Sequence, residues 1–344
     1  MSRPLESFPP YCPVESCDAH DEPFPGFCTR DGFYKPKCRA HRVQRYRCHA
    51  CGKRFSRQTF RQDYRDHKPW LNQRVFELLS CGVGLRQMAR QVRMTPRNLE
   101  MKVRKINEHL RLQHENLMGT FGPMSEFAFD ELETFEGCRS TRPLTVPILI
   151  EQETTFLVDA QSDTIPPSGK MTKARRRRIA KDQARRGKRR NRSRQVCRRV
   201  LATLGRHCDA HTRPRFRTDK KLSYPGLIRE RFGIDAPHLR VHSRRRRDPT
   251  NPLHRINLTL ARARDLMGRL RRRSWLVTKD RRFLDLHLAA FMCYRNYTQS
   301  RFNKDEESPA QMLGFLPRKL TLGELLGWRQ DHRGRSIHPL AAFA

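Results

Sequence analysis

The sequence predicts a multidomain chain that mixes α+β and α/β architecture, and three observations predict it. Six of the eleven cysteines fall within the first 51 residues, apolar residues then recur at helical spacing from Trp70 to Glu115, and strand-like and helical runs alternate from Glu126 onward. At 344 residues and 36% hydrophobic, the chain can build two or three cores at the usual ~100–200 residues per domain. Its charge is less usual. With 72 Lys+Arg against 35 Asp+Glu, the formal net charge is +37. That excess argues against an ordinary metabolic enzyme and calls for a polyanion. Nucleic acid comes first, because neutralising phosphates releases counterions; membrane headgroups are the weaker alternative. The longest unbroken apolar run, Leu288 to Tyr294, is far short of the ~20 residues of a bilayer span, and Met1–Pro10 has no apolar signal core. A soluble, non-secreted protein is the expectation.

The cysteines come first along the chain. Cys48–Phe55 reads CHACGKRF, a C-x2-C knuckle closed by Gly52, whose two thiolates can take adjacent corners of a Zn²⁺ tetrahedron while the backbone turns at the glycine. Cys12 and Cys17, in CPVESC, form a looser pair. Without a secretory signal, metal accounts for these residues better than disulfides do. A four-cysteine zinc ribbon is therefore expected over about residues 10–60, with a reduced, metal-free cluster as the alternative. Cys28, Cys38, His20 and His41 leave a second metal site open, although free thiols and ordinary histidines explain them more simply.

Helical periodicity follows in Val75, Leu78 and Leu79, then Leu85, Met88, Ala89 and Val92, then Leu99, Val103 and Ile106. Three short helices fit. Gly82 and Gly84 separate the first from the second, and Arg93-Met94 turn into Thr95, an N-cap with Pro96 at the first helical position. This is the arithmetic of a helix-turn-helix over about residues 65–115. Its third helix would present Arg97, Asn98, Lys102 and Arg104 outward, the first residues reaching base edges in a major groove and the later ones phosphates. A three-helix bundle with a solvated basic face is the alternative.

Charge then separates sharply. Phe121–Ser168 holds nine Asp/Glu against two Arg, whereas Lys170–Arg199 holds sixteen Lys/Arg against one acid, Asp182. The basic run, an insertion at about 168–200, reads as a solvated or disordered arm, as one that tracks phosphates, or as both. The acidic block reads as three antiparallel strands at Glu126–Glu136, Leu144–Glu151 and Thr154–Ala160. After it come a helix near Gln195–Leu204, a strand ending at Asp219, a helix near Pro225–Phe232, a strand at His238–His242 and a long helix from Leu253 to about Trp275. Three strands followed by alternating helix and strand is the element order of a ribonuclease H-like domain, in which the first and fourth strands lie side by side and parallel. Asp130 and Asp219 then converge, and two such carboxylates can hold Mg²⁺ or Mn²⁺ for in-line attack on a phosphodiester. Asp159, two strands away, reads as a surface or turn acid; Glu131 and Glu133 point away from Asp130 and read as solvent-facing. The stripe Ile256, Leu260, Ala263, Met267 and Leu270 reads as core packing, and Trp275 as a core or interface anchor.

The ribbon and helix-turn-helix, FAFDELETFEG at Phe127–Gly137, RTDKKLSYPGLI at Arg217–Ile228, HRINLTLARARDLMGRLRRRSWLVTK at His254–Lys279 and FMCYRNYTQSRFNKDEESPAQMLGF at Phe291–Phe315 stand in one order. That ordered set, spanning roughly residues 10–315, resembles the DDE-type insertion-sequence transposases with an N-terminal zinc ribbon. The resemblance implies a catalytic core over about 122–315 with a C-terminal extension at 316–344. It also implies divalent-metal cleavage and strand transfer of double-stranded DNA, binding of terminal inverted repeats, assembly as a homo-oligomer on DNA, and a cytoplasmic, nucleoid-associated setting in a prokaryote. No membrane or small-molecule substrate is implied. Asp130 and Asp219 match the first two metal-binding acids. The third position departs from the family and holds Asn257, an uncharged ligand; Asp265, about two turns further on, could substitute if the register shifts. Arg244, Arg245, Arg271 and Arg272 are candidates for the DNA backbone. A catalytically inactive, transposase-derived DNA-binding protein is the alternative that Asn257 keeps open.

Overall fold

The computed structural model describes residues 9, 11–38, 40–209, 211–271 and 276–327. It is a mixed α/β structure with a small antiparallel sheet and a larger mixed one. The N-terminal module has a short helix, α1 (Asp18–Asp21), and three strands, β1 (Cys28–Tyr34), β2 (Val43–Cys48) and β3 (Arg54–Ser56), in the order β1-β2-β3. Its core is small: Phe27, Phe55 and Phe60 pack with Ala19 and the buried Cys12, Cys17 and Cys48.

Three helices follow, α2 (Asn72–Ser80), α3 (Leu85–Gln91) and α4 (Pro96–Leu117). The helix start at Thr95 is as expected: its hydroxyl accepts the Asn98 N–H at 3.3 Å, and Pro96 occupies the first turn, where its missing N–H costs nothing. The third helix is not short. It runs 22 residues because its buried stripe continues past Ile106 through Leu110, Gln113, His114 and Leu117 into the core beyond. There His114 bonds the Tyr297 hydroxyl at 2.9 Å and the Val158 carbonyl at 3.0 Å. The three helices consequently share one hydrophobic cluster with the larger sheet.

That sheet holds β4 (Glu126–Phe135), β5 (Pro143–Glu151), β6 (Leu157–Ala160), β7 (Asp163–Thr164), β8 (Arg215–Asp219) and β9 (His238–Val241). The order is β6-β5-β4-β8-β9, with β7 paired to β5; β4, β5 and β6 are antiparallel, whereas β8 runs parallel to both β4 and β9. The basic segment is folded: α5 (Lys173–Arg186), capped by Thr172, buries no residue, and α6 (Ser193–Arg206) buries a full apolar face. Its single acid is one of several anchors: Asp182 lies 3.6 Å from Arg142, which also pairs with Glu136 at 2.5 Å, while Arg175 donates to the Ser140 carbonyl at 3.2 Å and Arg189 to the Pro143 carbonyl at 2.9 Å.

α6 and α7 (Ser223–Phe232) cover one face of the sheet with Phe127, Phe129 and Phe216, and α8 (His254–Leu266) covers the other with Ala128, Leu132 and Val241. The helix expected to reach Trp275 ends at Leu266 and gives way to a 3-10 turn at Gly268–Leu270. A side chain at Gly268 would stand 2.8 Å from the Gly82 carbonyl, so this turn is where α8 meets the loop between α2 and α3. Trp275, Arg272 and Arg273 lie outside the described residues.

α9 (Arg281–Cys293) packs along α4 and ends in a π-turn, Tyr294–Thr298. Asn296 in that turn is fully buried and bonds both the N–H and the carbonyl of Leu157, at 2.9 and 2.8 Å, closing the edge of β6. Ser308 caps α10 (Pro309–Met312), and α11 (Leu322–Gly327) returns to α2 and α4. No helix among the described residues is long and apolar enough to cross a membrane.

Candidate functional site

Two sites stand out, and the first is built from cysteines. Cys48 ends β2; the chain turns through Cys51 and Gly52, whose φ of +70° is the left-handed geometry that glycine adopts without strain, and the Gly52 N–H closes on the Cys48 carbonyl at 3.0 Å. Cys12 is held opposite by its own N–H on Ala19, and Cys17 by its N–H on Val14. The Sγ atoms of Cys12 and Cys51 are 3.5 Å apart, those of Cys17 and Cys48 are 3.8 Å apart, and all four lie within 4.8 Å of one another. A disulfide needs about 2.05 Å. A tetrahedron with ~2.3 Å metal–sulfur bonds has an edge of about 3.8 Å. The four cysteines could therefore hold a metal such as zinc. Burial raises the Cys12 and Cys17 thiols above their ordinary range, whereas the Lys53 N–H lowers Cys51.

Among the described residues this is the only group of three or more His, Cys, Asp or Glu at ligand distance. Cys28, Cys38, His20 and His41 form no second cluster. Cys28 instead faces Cys48 across the β1–β2 ladder, and His20 bonds the Cys12 carbonyl at 2.7 Å.

The second site is at the ends of two parallel strands. The β4–β8 ladder pairs Phe127 with Phe216 and Phe129 with Thr218, so the next position along sets Asp130 beside Asp219. Both share the face of Ala128, Leu132 and Val241, under α8. Burial lifts the Asp130 carboxyl to about 6; the Glu131 N–H opposes the rise, and the nearby Asp219 adds to it. Asn257 lies in the first turn of α8, which packs on β4 through Ile256, Leu260 and Ala263. Asp265 is two turns away, exposed, with its carbonyl taken by Arg271 at 3.1 Å. Arg247, in the loop before α8, is close enough to Asp130 to favour its charged form, and Arg244 and Arg245 beside it are exposed. No protein-family model matches the chain, and no curated protein matches it either.

The three helices bring Arg97, Asn98 and Arg104 to the exposed side of α4, Arg104 in an i,i+4 pair with Glu108. Lys102, expected among them, is buried. Its ammonium contacts Asp66 at 2.5 Å, Asn72 at 2.6 Å and the Lys68 carbonyl at 3.0 Å, so it ties the helix to the connection from the cysteine module. The signal was in the spacing, since 102 falls three after Leu99 and four before Ile106, on the buried stripe.

Two acids also differ from expectation. Asp159 is buried rather than superficial, accepting the Thr203 hydroxyl at 2.7 Å and the Gln161 amide at 2.8 Å, with burial raising it to about 6. Glu131 points away from Asp130 as expected, but not into solvent: it lies under α6 and α7, where Thr145, Ser193, Cys197, Lys221 and Tyr224 all reach its carboxylate. Glu133 is exposed.

Proposed function

We propose that this chain is a DNA transposase with a ribonuclease H-like nuclease core, in which a zinc ribbon and a helix-turn-helix bind the terminal inverted repeats of a mobile element. One arrangement supports it: Asp130 and Asp219 stand side by side on adjacent parallel strands, beneath the helix that carries Asn257, in a chain of net charge +37. Two neighbouring carboxylates repel until a cation joins them, and hard oxygen donors suit Mg²⁺ or Mn²⁺. When bound, such an ion activates an attacking water or 3′-hydroxyl and stabilises the leaving oxygen.

The chain's own residues do the rest. Asp130 and Asp219 would hold the cation, and Asn257 would offer an amide oxygen from α8. Arg244, Arg245 and Arg247 neutralise phosphates beside the site, with Arg271 further along. Arg97 and Asn98 head the helix presented to a major groove, and Arg104 follows toward the backbone. Assembly as a homo-oligomer on DNA and a place at the prokaryotic nucleoid belong to the same reading.

Purified protein with Mg²⁺ or Mn²⁺ should nick duplex DNA carrying the element's ends, and Asp130→Asn should abolish nicking. Equal inactivity of both proteins would overturn the enzymatic reading. Asn257 favours a second reading, in which the core no longer cuts and the protein only binds DNA. Under that reading Asn257→Glu restores cutting to an inactive parent.

A further inference from the structure

The backbone ladder between β4 and β8 stops at Phe129 and Thr218, one residue short of the two acids. What holds the strand ends together there lies on the other face of the sheet. Asp130 Oδ1 accepts the N–H of Glu131 at 2.7 Å, and Asp219 Oδ1 accepts the N–H of Lys221 at 2.9 Å. The side chains of those same two residues then meet: the Lys221 ammonium donates to Glu131 Oε1. Each carboxylate is thus bonded to the main chain of one half of an ion pair.

That pair is built in. Glu131 is 7% exposed, and its oxygens also accept the hydroxyls of Thr145 at 2.5 Å, Ser193 at 2.8 Å and Tyr224 at 3.1 Å, from β5, α6 and α7. Lys221 is braced by the Ser193 oxygen at 3.2 Å and lies over the Tyr224 ring, 5.4 Å from its centroid. The Glu131 carboxylate is held by donors from four directions, and the Lys221 ammonium it holds belongs to the residue whose N–H orients Asp219.

We propose that the Glu131–Lys221 pair is a clasp that sets the spacing of the Asp130 and Asp219 carboxylates for a shared divalent cation, making both positioning residues. The proposal rests on the reading of those aspartates as metal ligands. Neither clasp side chain touches the ion; each acts through the backbone N–H that orients an aspartate.

The test is Mn²⁺ binding to the full-length, zinc-loaded protein, followed by electron paramagnetic resonance titration, with the melting temperature measured in parallel. Wild type should bind Mn²⁺ and Asp130→Asn should lose it. Lys221→Met, which removes a half-exposed partner and leaves Glu131 its hydroxyl donors, should weaken Mn²⁺ at least tenfold. Glu131→Gln should weaken it similarly, and Lys221→Arg should recover most of the affinity. Should Glu131→Gln fail to fold, Tyr224→Phe replaces it, with a smaller loss expected. If Mn²⁺ binding depends on Asp130 yet is unchanged in folded Lys221→Met, the clasp is refuted and the metal reading stands. If wild type binds no Mn²⁺, or Asp130→Asn binds it equally well, the metal reading fails and the clasp with it.

Discussion

Removing the metal from the cysteine site should unfold the N-terminal module and leave the larger sheet intact. Sulfur separations of 3.5 and 3.8 Å have no covalent explanation, and the large apolar side chains fully buried around them, among the described residues, are three phenylalanines, with Tyr11, Val14 and Tyr46 partly buried against them. Each phenylalanine is worth about 1.5–3 kcal/mol on burial. Structural Zn²⁺ in comparably small folds contributes about 10–16 kcal/mol, far more than those rings can replace. The apolar cluster around the cysteines is separate from the two that pack the sheet, so the loss should not spread. The assay is hydrogen exchange with and without chelator. Protection should vanish from the amides of Cys28–Tyr34 and Val43–Cys48 and persist in Glu126–Phe135 and Pro143–Glu151, and elemental analysis should find about one metal per chain before treatment. Because the ligands must be thiolates, acid should release the metal as chelator does. Protection of the small sheet that survives complete metal removal would refute the reasoning.

Three more outcomes are expected. Lys102→Met should destabilise the helical segment by about 1–3 kcal/mol by leaving Asn72 Oδ1 and the Lys68 carbonyl without the donor they share, whereas Arg97→Ala should weaken DNA binding without moving the melting temperature; the reverse pattern would show Lys102 to be a DNA contact. His109 and His114, held neutral by burial, fall to about 4 from an ordinary 6.5. A depressed folded pKa means stability complete above about pH 6.5 and lost as the pH falls toward 4, by up to about 3 kcal/mol for each. Calorimetry across that window should show His114→Gln losing one proton's worth of the slope. Replacing the exposed Arg176, Arg177 and Arg178 of α5 together by Ser should lower DNA affinity and reduce its logarithmic salt slope by about 3, at ~0.9 per phosphate contact, and an unchanged slope would show that α5 does not lie on DNA.

Much of the candidate site was legible because its signals are local. The knuckle at Cys48–Gly52 needs only two thiols and a residue tolerant of positive φ, and Thr95-Pro96 declares a helix start through its own backbone. Runs such as Phe127–Phe135 and Leu144–Glu151 can hardly be anything but strands. Charge counting marked the basic segment but not that it folds, because α5 is secured by Asp182 reaching Arg142, a residue on another part of the chain. Ending α8 at Leu266 was equally out of reach: the helical pattern continues beyond it, and the close approach of Gly268 to Gly82 exists only once the parts are packed.

By itself, then, the sequence determined the order of the cysteine-rich, helical and sheet-forming segments, the four clustered cysteines, the two strand aspartates and the charge of +37, since each follows from residue type, spacing or sum. Which partners a buried polar group finds was decided only by the tertiary structure. Lys102 finds Asp66 from 36 residues away, Asp159 finds Thr203 from 44, and Glu131 finds Lys221 from 90. An ionisable side chain is tolerated inside only where partners converge on it, and that convergence is a property of the packed chain, not of any stretch of it.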